Sequence, residues 1–392
     1  MKKEVTANRT NSRSLREAVV CLVVFVAFMA CLAVPMGLAN MLNTMMNTAY
    51  RVLMDTCLYI MAIAVLTGAI TGLFSEFGVL DLMSRILSPL MKPLYGMPGA
   101  SALGIVTTFM SDNPAILSLA EDRKFRMYFK AYQIPALTNL GTAFGMGLII
   151  TSGMLALQGS FGASLIAPVL IGVFGAVCGS IVSTRLMLAA SKKRFGVELS
   201  AMEMKGADKL KDRDDGEEPG IKVSRFNRFM SCLLDGGKTG VELGLGIIPG
   251  ACLVCSIIMM FTYGPSSSGA YTGAAFEGIG VFPWIGDKLS FVFDPLFGFS
   301  NADCIAIPVT ALGSSGAALG IVRSMASMGL LSANDIAVFV AICMCWSGYL
   351  STHVSMMDIL KCRDLAGKSI LFHTIGGLFA GFVAHILFSL VA

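Results

Sequence analysis

Apolar residues run in long blocks along this chain, separated by short polar stretches, and the blocks exceed what a buried soluble helix or strand needs. One bilayer crossing takes about 20 consecutive apolar residues. Blocks of that size cover 18–38, 52–74, 125–150, 163–190, 241–263, 334–356 and 369–391, which predicts seven membrane helices. Two further blocks, 100–120 and 302–322, are interrupted midway by Ser111-Asp112-Asn113-Pro114 and Gly313-Ser314-Ser315-Gly316. Such a break frees backbone groups that need protein or water around them. Each block is therefore expected to form a re-entrant helical hairpin. The expected fold class is an all-α polytopic membrane protein of about seven transmembrane helices plus two re-entrant hairpins, in an inverted-repeat transporter architecture.

Composition narrows the picture. The chain is 55% hydrophobic and 14% charged, against about 25% charged in soluble domains. A soluble enzyme with one core is excluded, and the recurrence of apolar blocks excludes a single-span receptor. The first block follows Arg13, Arg16 and Glu17 but is too long for a signal peptide and lacks a small-x-small cleavage site, so a retained span is expected. The 11 cysteines lie mostly in apolar blocks without the spacing of a secreted domain. Packed thiols rather than disulfides are expected.

Charge sets orientation, because cytoplasmic loops are rich in lysine and arginine. With the N-terminus cytoplasmic and neither hairpin crossing, 24 of the 29 basic residues fall inside and only Arg51, Lys288 and Arg323 fall outside. The C-terminus is then outside, and a bacterial plasma or inner membrane is the expected location. The domains expected are an N-terminal tail and first span over 1–51, a first repeat over 52–190 with its hairpin at 100–122, a charged cytoplasmic linker over 191–234, and a second, inverted repeat over 235–392 with its hairpin at 300–324.

An offset of 202 residues aligns Pro93-Leu94-Tyr95-Gly96 with Pro295-Leu296-Phe297-Gly298, and Gly78-Val79 with Gly280-Val281. Both polar breaks fall in register, as a duplicated unit requires. The first unit begins on a span running outside to inside and the second on one running the other way. Inverted repeats with broken helices meeting near the midplane are a transporter signature.

The run from Leu90 through Pro93-Leu94-Tyr95-Gly96 to Ser101, leading into Ser111-Asp112-Asn113-Pro114-Ala115-Ile116-Leu117, resembles the interfacial helix and first hairpin of the nucleoside-recognition Gate domain. That domain is shared by concentrative nucleoside transporters, ferrous-iron transporter B and spore maturation membrane proteins A and B. The stretch through Gly313-Ser314-Ser315-Gly316-Ala317 resembles the second hairpin. The resemblance covers somewhat over half of the chain and implies a Gate architecture, a small-molecule solute bound at the hairpin tips and, by analogy with trimeric nucleoside relatives, a homo-oligomer. Nucleoside transporters carry glutamine and glutamate at these tips. Here Asp112 and Asn113, then Ser314 and Ser315, stand instead.

The residues suggest their own chemistry. Asn113 can cap a helix that opens with Pro114, and its positive dipole end would then lie at membrane depth. Asp112 beside it costs about 2.5–3.5 kcal/mol on insertion scales, so a wet cavity or a coupling role is expected. Polar runs after each hairpin, Thr138-Asn139-Leu140-Gly141-Thr142 and Trp346-Ser347-Gly348-Tyr349-Leu350-Ser351-Thr352-His353, suggest local unwinding. Candidate solute-binding residues are Ser111, Asp112, Asn113, Asn139, Thr142, Ser314, Ser315, Ser351, Thr352 and His353. Asp112, Asn139 and Thr142 are candidates for coupling to Na⁺ or H⁺, and no other cofactor is expected. His373 and His385 are weaker candidates. Lys130 is expected to snorkel, and Asp55 and Glu242 to serve structurally at span starts.

Cys252, Cys255, Cys343 and Cys345 with His353 form an alternative soft-metal set, although cysteine also packs well in apolar interiors. No nucleotide-binding fingerprint appears, so direct ATP or GTP drive is not expected, and nothing points to nucleic acid. Neither is an enzyme expected: there is no Glu-x-x-His pair, and Ser351 and His353, two apart on a helix, would not face each other. The sequence thus favours an ion-coupled secondary transporter of a nucleoside-like or other polar metabolite. Its rivals are a divalent-metal permease and a non-transporting membrane factor acting with partners.

Overall fold

In hydrocarbon every backbone polar group must be paired within the protein, which makes helices the default for apolar blocks. The computed structural model describes residues 2–204, 210, 224–266 and 268–391, with the side chains of 2–14, Tyr349 and Ser351 left aside. Helix α1 (Lys2–Met36) stops at Gly37. Helix α2 (Leu38–Arg51) passes through a π-turn into α3 (Leu58–Glu76). An amphipathic helix α4 (Val79–Leu90) follows, then the first helical hairpin, α5 (Ser101–Met110) and α6 (Ala115–Ala120). A broken helix, α7 (Ile134–Thr142) and α8 (Gly147–Leu155), and the long α9 (Ile166–Phe195) complete the first half.

The second half repeats this order. Helix α10 (Arg225–Gly250) passes through a π-turn into α11 (Ser256–Thr262), and α12 (Val281–Lys288) and α13 (Ser290–Phe297) take the place of α4. The second hairpin is α14 (Ala306–Ala311) and α15 (Ser315–Ser327); the second broken helix is α16 (Ala333–Cys345) and α17 (Tyr349–Ile359), followed by α18 (Ala366–Val391). No strand forms among the described residues; Lys130 and Ser200 make one isolated bridge.

Six segments are long and apolar enough to cross a bilayer, Leu15–Met36, Leu38–Glu76, Ala131–Leu155, Ile166–Phe195, Arg225–Thr262 and Arg363–Val391, and the chain is a multi-pass membrane protein. The seventh expected span, 334–356, is not one helix: α16 ends at Cys345 and Gly348 adopts a left-handed φ of 65°. Helix α16 alone, 13 residues, reaches about 20 Å at 1.5 Å per residue, so this segment, like its broken counterpart over 131–155, needs both arms to approach a hydrocarbon core of about 30 Å. The first broken helix begins at Ala131 rather than at 125. It is helical through the Thr138–Thr142 run, and its break falls just after, over 143–146. The span expected to start at 241 begins at Arg225, which places Glu242 in mid-helix. Asp55 likewise lies within a continuous rod, paired with Arg51 at 3.3 Å.

Small residues draw the long helices together. A Cβ on Gly68 would lie 2.4 Å from the Gly236 carbonyl oxygen, one on Gly240 would lie 2.2 Å from that of Ala64, and Gly72 and Gly244 continue the seam. Helices α3 and α10 thus pack backbone to backbone, as small-x-x-x-small spacing allows in membranes. A second seam joins α9 to α18, where a Cβ on Gly179 would lie 2.3 Å from the Gly376 carbonyl oxygen. Helices α7 and α16 pack against this second seam. Every residue of α7 is buried, as is every residue of α16 from Asp335 onward, so no face of either helix is left for lipid.

Three pairs of left-handed residues stand 202 apart: Gly78 and Gly280 (φ 71° and 60°), Gly96 and Gly298 (71° and 58°), and Met146 and Gly348 (54° and 65°). The halves differ between Thr262 and Gly280, where a loop straps onto α2. Asn40 donates to the Tyr271 carbonyl at 3.0 Å, Asn47 to that of Gly273 at 2.8 Å, and the Phe276 amide donates to Thr48 Oγ1 at 2.9 Å.

Candidate solute-binding site

Both hairpin tips and both helix breaks border one cavity of about 440 Å³, closed on a further side by α10. At the first tip the Asn113 amide donates to the Asp112 carboxylate at 2.7 Å, folding the turn before Pro114. Asn113 is 1% exposed, and its side-chain amide donates to the Ser347 carbonyl at the break of the other half. Gly145 provides the room: a Cβ there would lie 1.6 Å from Asn113 Oδ1. At the second tip Ser314 caps α15, accepting from the Ala317 amide at 3.2 Å, and Ser315 donates to the Cys343 carbonyl at 2.5 Å. The tips are thus tied to the breaks by hydrogen bonds that cross between helices.

Of the residues singled out from sequence, Asp112, Asn113, Ser314, Ser315 and Thr352 line this cavity. Ser111 lines an adjoining one of about 520 Å³ that shares Thr239 and Leu243 with the first and reaches Ser75, Glu76 and Asp235. The other candidates lie elsewhere. Asn139 is fully buried, donating to Ser183 Oγ at 2.8 Å and to the Ser369 carbonyl at 3.0 Å while accepting from Ser369 Oγ at 2.5 Å, so its polar atoms bind α9 and α18 together. Thr142 is buried against Met356, with 4.0 Å between Oγ1 and Sδ. His353 is buried beside His373, the ring centroids 4.7 Å apart. The side chain of Ser351 lies outside the described residues.

The alternative metal set does not assemble. Cys255 donates to the Ala317 carbonyl at 3.1 Å and Cys345 approaches that of Ala176 at 3.7 Å, while Cys252 is 4.0 Å from the Ala49 carbonyl oxygen. Cys343 and Cys345 stand two apart on one helix and cannot share a face. Among the described residues no three His, Cys, Asp or Glu side chains cluster as a metal site would need.

The structure adds Thr239, Glu242 and Gly246 of α10, together with Met146, Ser347 and Gly348 at the breaks. Glu242 is exposed and joins Asp112 as a second carboxylate on the cavity wall. A signal for the α10 wall exists in the sequence: Asp235, Thr239, Glu242 and Gly246 recur at i, i+4, i+7 and i+11, one polar and small stripe of a helix.

This fold is that of the concentrative nucleoside transporter structures. The chain aligns with CNTnw in an inward-facing substrate-bound state at a TM-score of 0.50 and 12% identity, covering 85% of this chain and 75% of that one. It aligns with a doubly substituted CNTnw in an outward-facing state at 0.51 and 13%, covering 96% and 86%. At such identities the likeness is one of fold. No protein-family model and no curated protein matches the chain.

Proposed function

We propose that this protein is a secondary transporter that carries a small polar solute across the membrane by alternating access, with the solute seated between the two hairpin tips. The observation that supports it best is the shared cavity: both tips and both breaks face one space of about 440 Å³, within the range of small-molecule sites. A second cavity adjoins it and extends toward the end of α3 at Glu76, a ready path to one face. The likeness to CNTnw in inward- and outward-facing states supports motion of this kind. Duplication supports it further, because the left-handed residues recur at one offset in both halves. Coupling to Na⁺ or H⁺ is part of the proposal, with Asp112 as the coupling carboxylate. Asn139 and Thr142, buried behind the cavity, would act by holding the broken helix in place.

The non-transporting reading calls for a dry, closed midplane, and the cavity speaks against it. The metal-permease reading loses support because no three His, Cys, Asp or Glu side chains among the described residues are grouped to hold a metal ion. Uptake into proteoliposomes is the test, run under Na⁺ and H⁺ gradients with labelled uridine, adenosine, amino acids and short peptides. Gradient-dependent accumulation of at least one of them is expected, lost in Gly246→Leu. Nothing lies within 4 Å of a Cβ at Gly246, so the leucine enters the cavity without disturbing the packing of α10. A folded protein that accumulates none of these solutes under either gradient would return the non-transporting reading to first place.

A further inference from the structure

The cavity between the tips has acidic side chains and no cationic counterpart in its wall. Its lining includes the carboxylates of Asp112 and Glu242 and no lysine, arginine or histidine. Neither carboxylate takes part in an ion pair among the described residues. Four of the side-chain donors are already engaged with backbone carbonyls, the hydroxyls of Ser314 and Ser347 not among them. Thr239 donates to Asp235 at 3.2 Å, Ser315 to Cys343 at 2.5 Å, Thr352 to Gly348 at 3.0 Å, and the Asn113 amide to Ser347.

A carboxylate in a membrane interior is retained where it meets a partner. Resting on the transporter reading, we infer that the solute bound at the tips carries a protonated amine, and that Asp112 and Glu242 receive it. An ammonium offers three donors and a positive charge and no acceptor, which complements this wall. A neutral base and ribose would leave both carboxylates without a countercharge. A bare metal ion would leave most of about 440 Å³ unfilled. A carboxylate on the same solute would meet the amino end of α15, where Ser314 occupies the Ala317 amide and the amides of Ser315 and Gly316 precede it. The solute class is therefore amino-acid-like, with the amine as the required group.

Matched probes test this on the full-length protein in detergent. Binding is measured by thermal shift and calorimetry for leucine, for its 2-hydroxy acid analogue, for phenethylamine, and for uridine and adenosine. The same series is run on Glu242→Gln and Asp112→Asn, with gel filtration to confirm that each is folded. Binding by leucine or phenethylamine, at least tenfold tighter than by the hydroxy acid and nucleosides and weakened at least tenfold in Glu242→Gln, would establish the amine. Binding by uridine, adenosine or the hydroxy acid that is unchanged in both carboxylate variants but lost in Gly246→Leu would overturn the amine and leave the transporter reading standing. Silence from both amine probes overturns the amine assignment. Silence from every probe would also remove support from the transporter reading.

Discussion

Gly145 acts by taking up no space. Its φ is not in the left-handed region, so the residue is required for room and not for backbone freedom: Asn113 Oδ1 stands where a Cβ would go. Gly145→Ala is expected to push Asn113 away from the Ser347 carbonyl, cost about 1–3 kcal/mol as a buried amide loses its partner, and reduce solute uptake at least tenfold. A thermal melt paired with uptake checks both. Glu277 makes a residue-scale prediction of another kind. Burial within its own loop favours the neutral acid, but donation from the Thr272 amide and hydroxyl and the Gly273 amide favours the carboxylate and wins, holding its pKa below the usual glutamate range. A carboxylate with a lowered folded pKa stabilises fully above its ordinary value of about 4.3 and loses that contribution as pH falls through the folded value. The melting temperatures of the native protein and Glu277→Gln should differ by a constant amount above about pH 5 and converge in acid. Of these positions, the turn at Asp112 and Asn113 could be read from sequence because a polar Asp-Asn-Pro in an apolar block has few explanations. Gly145 could not, since its role depends on a side chain 32 positions away in sequence, 145 less 113.

At the scale of elements, two glycines of α10 ten residues apart make opposite predictions. A Cβ at Gly236 would lie 2.3 Å from the Gly68 carbonyl oxygen, whereas one at Gly246 meets nothing within 4 Å. Gly236→Ala should force α3 and α10 apart and lower the yield of folded protein. Gly246→Ala should be neutral or stabilising by up to about 1 kcal/mol, the difference in helix propensity. Fluorescence-detected gel filtration across a temperature ramp separates the two. Element boundaries were legible where composition changes sharply, as at both hairpin tips and at Trp346-Ser347-Gly348. The first break was expected over Thr138–Thr142 and lies over 143–146, because Asn139 satisfies its side chain across the interface with Ser183 and Ser369 and leaves its own helix intact. Polar side chains inside an apolar block signal either unwinding or cross-helix bonding, and sequence does not separate them. Helix α10 extends further back than hydropathy suggested for a related reason: its charged first turns lie beyond the apolar run but continue the same helical stripe.

For the whole molecule, the adjoining cavities predict one-sided access. Thr239 borders both, and the second reaches Ser75 and Glu76. In oriented vesicles, a cysteine at Thr239 should react with a membrane-impermeant maleimide from the Glu76 face and be protected from the opposite one; equal labelling from both faces would contradict this. The general plan was legible at this scale, since blocks of apolar residues mark the spans and a 202-residue offset marks the repeat. The cavity was not, because its walls come from segments as distant in the chain as Asp112 and Thr352. The bond from Asn113 to the Ser347 carbonyl joins the first half to the second, and so the binding space is shared property that neither half contains alone. Cut between Met204 and Ser224 and produced as two fragments, the chain should regain function only by complementation, each fragment inert until it meets the other.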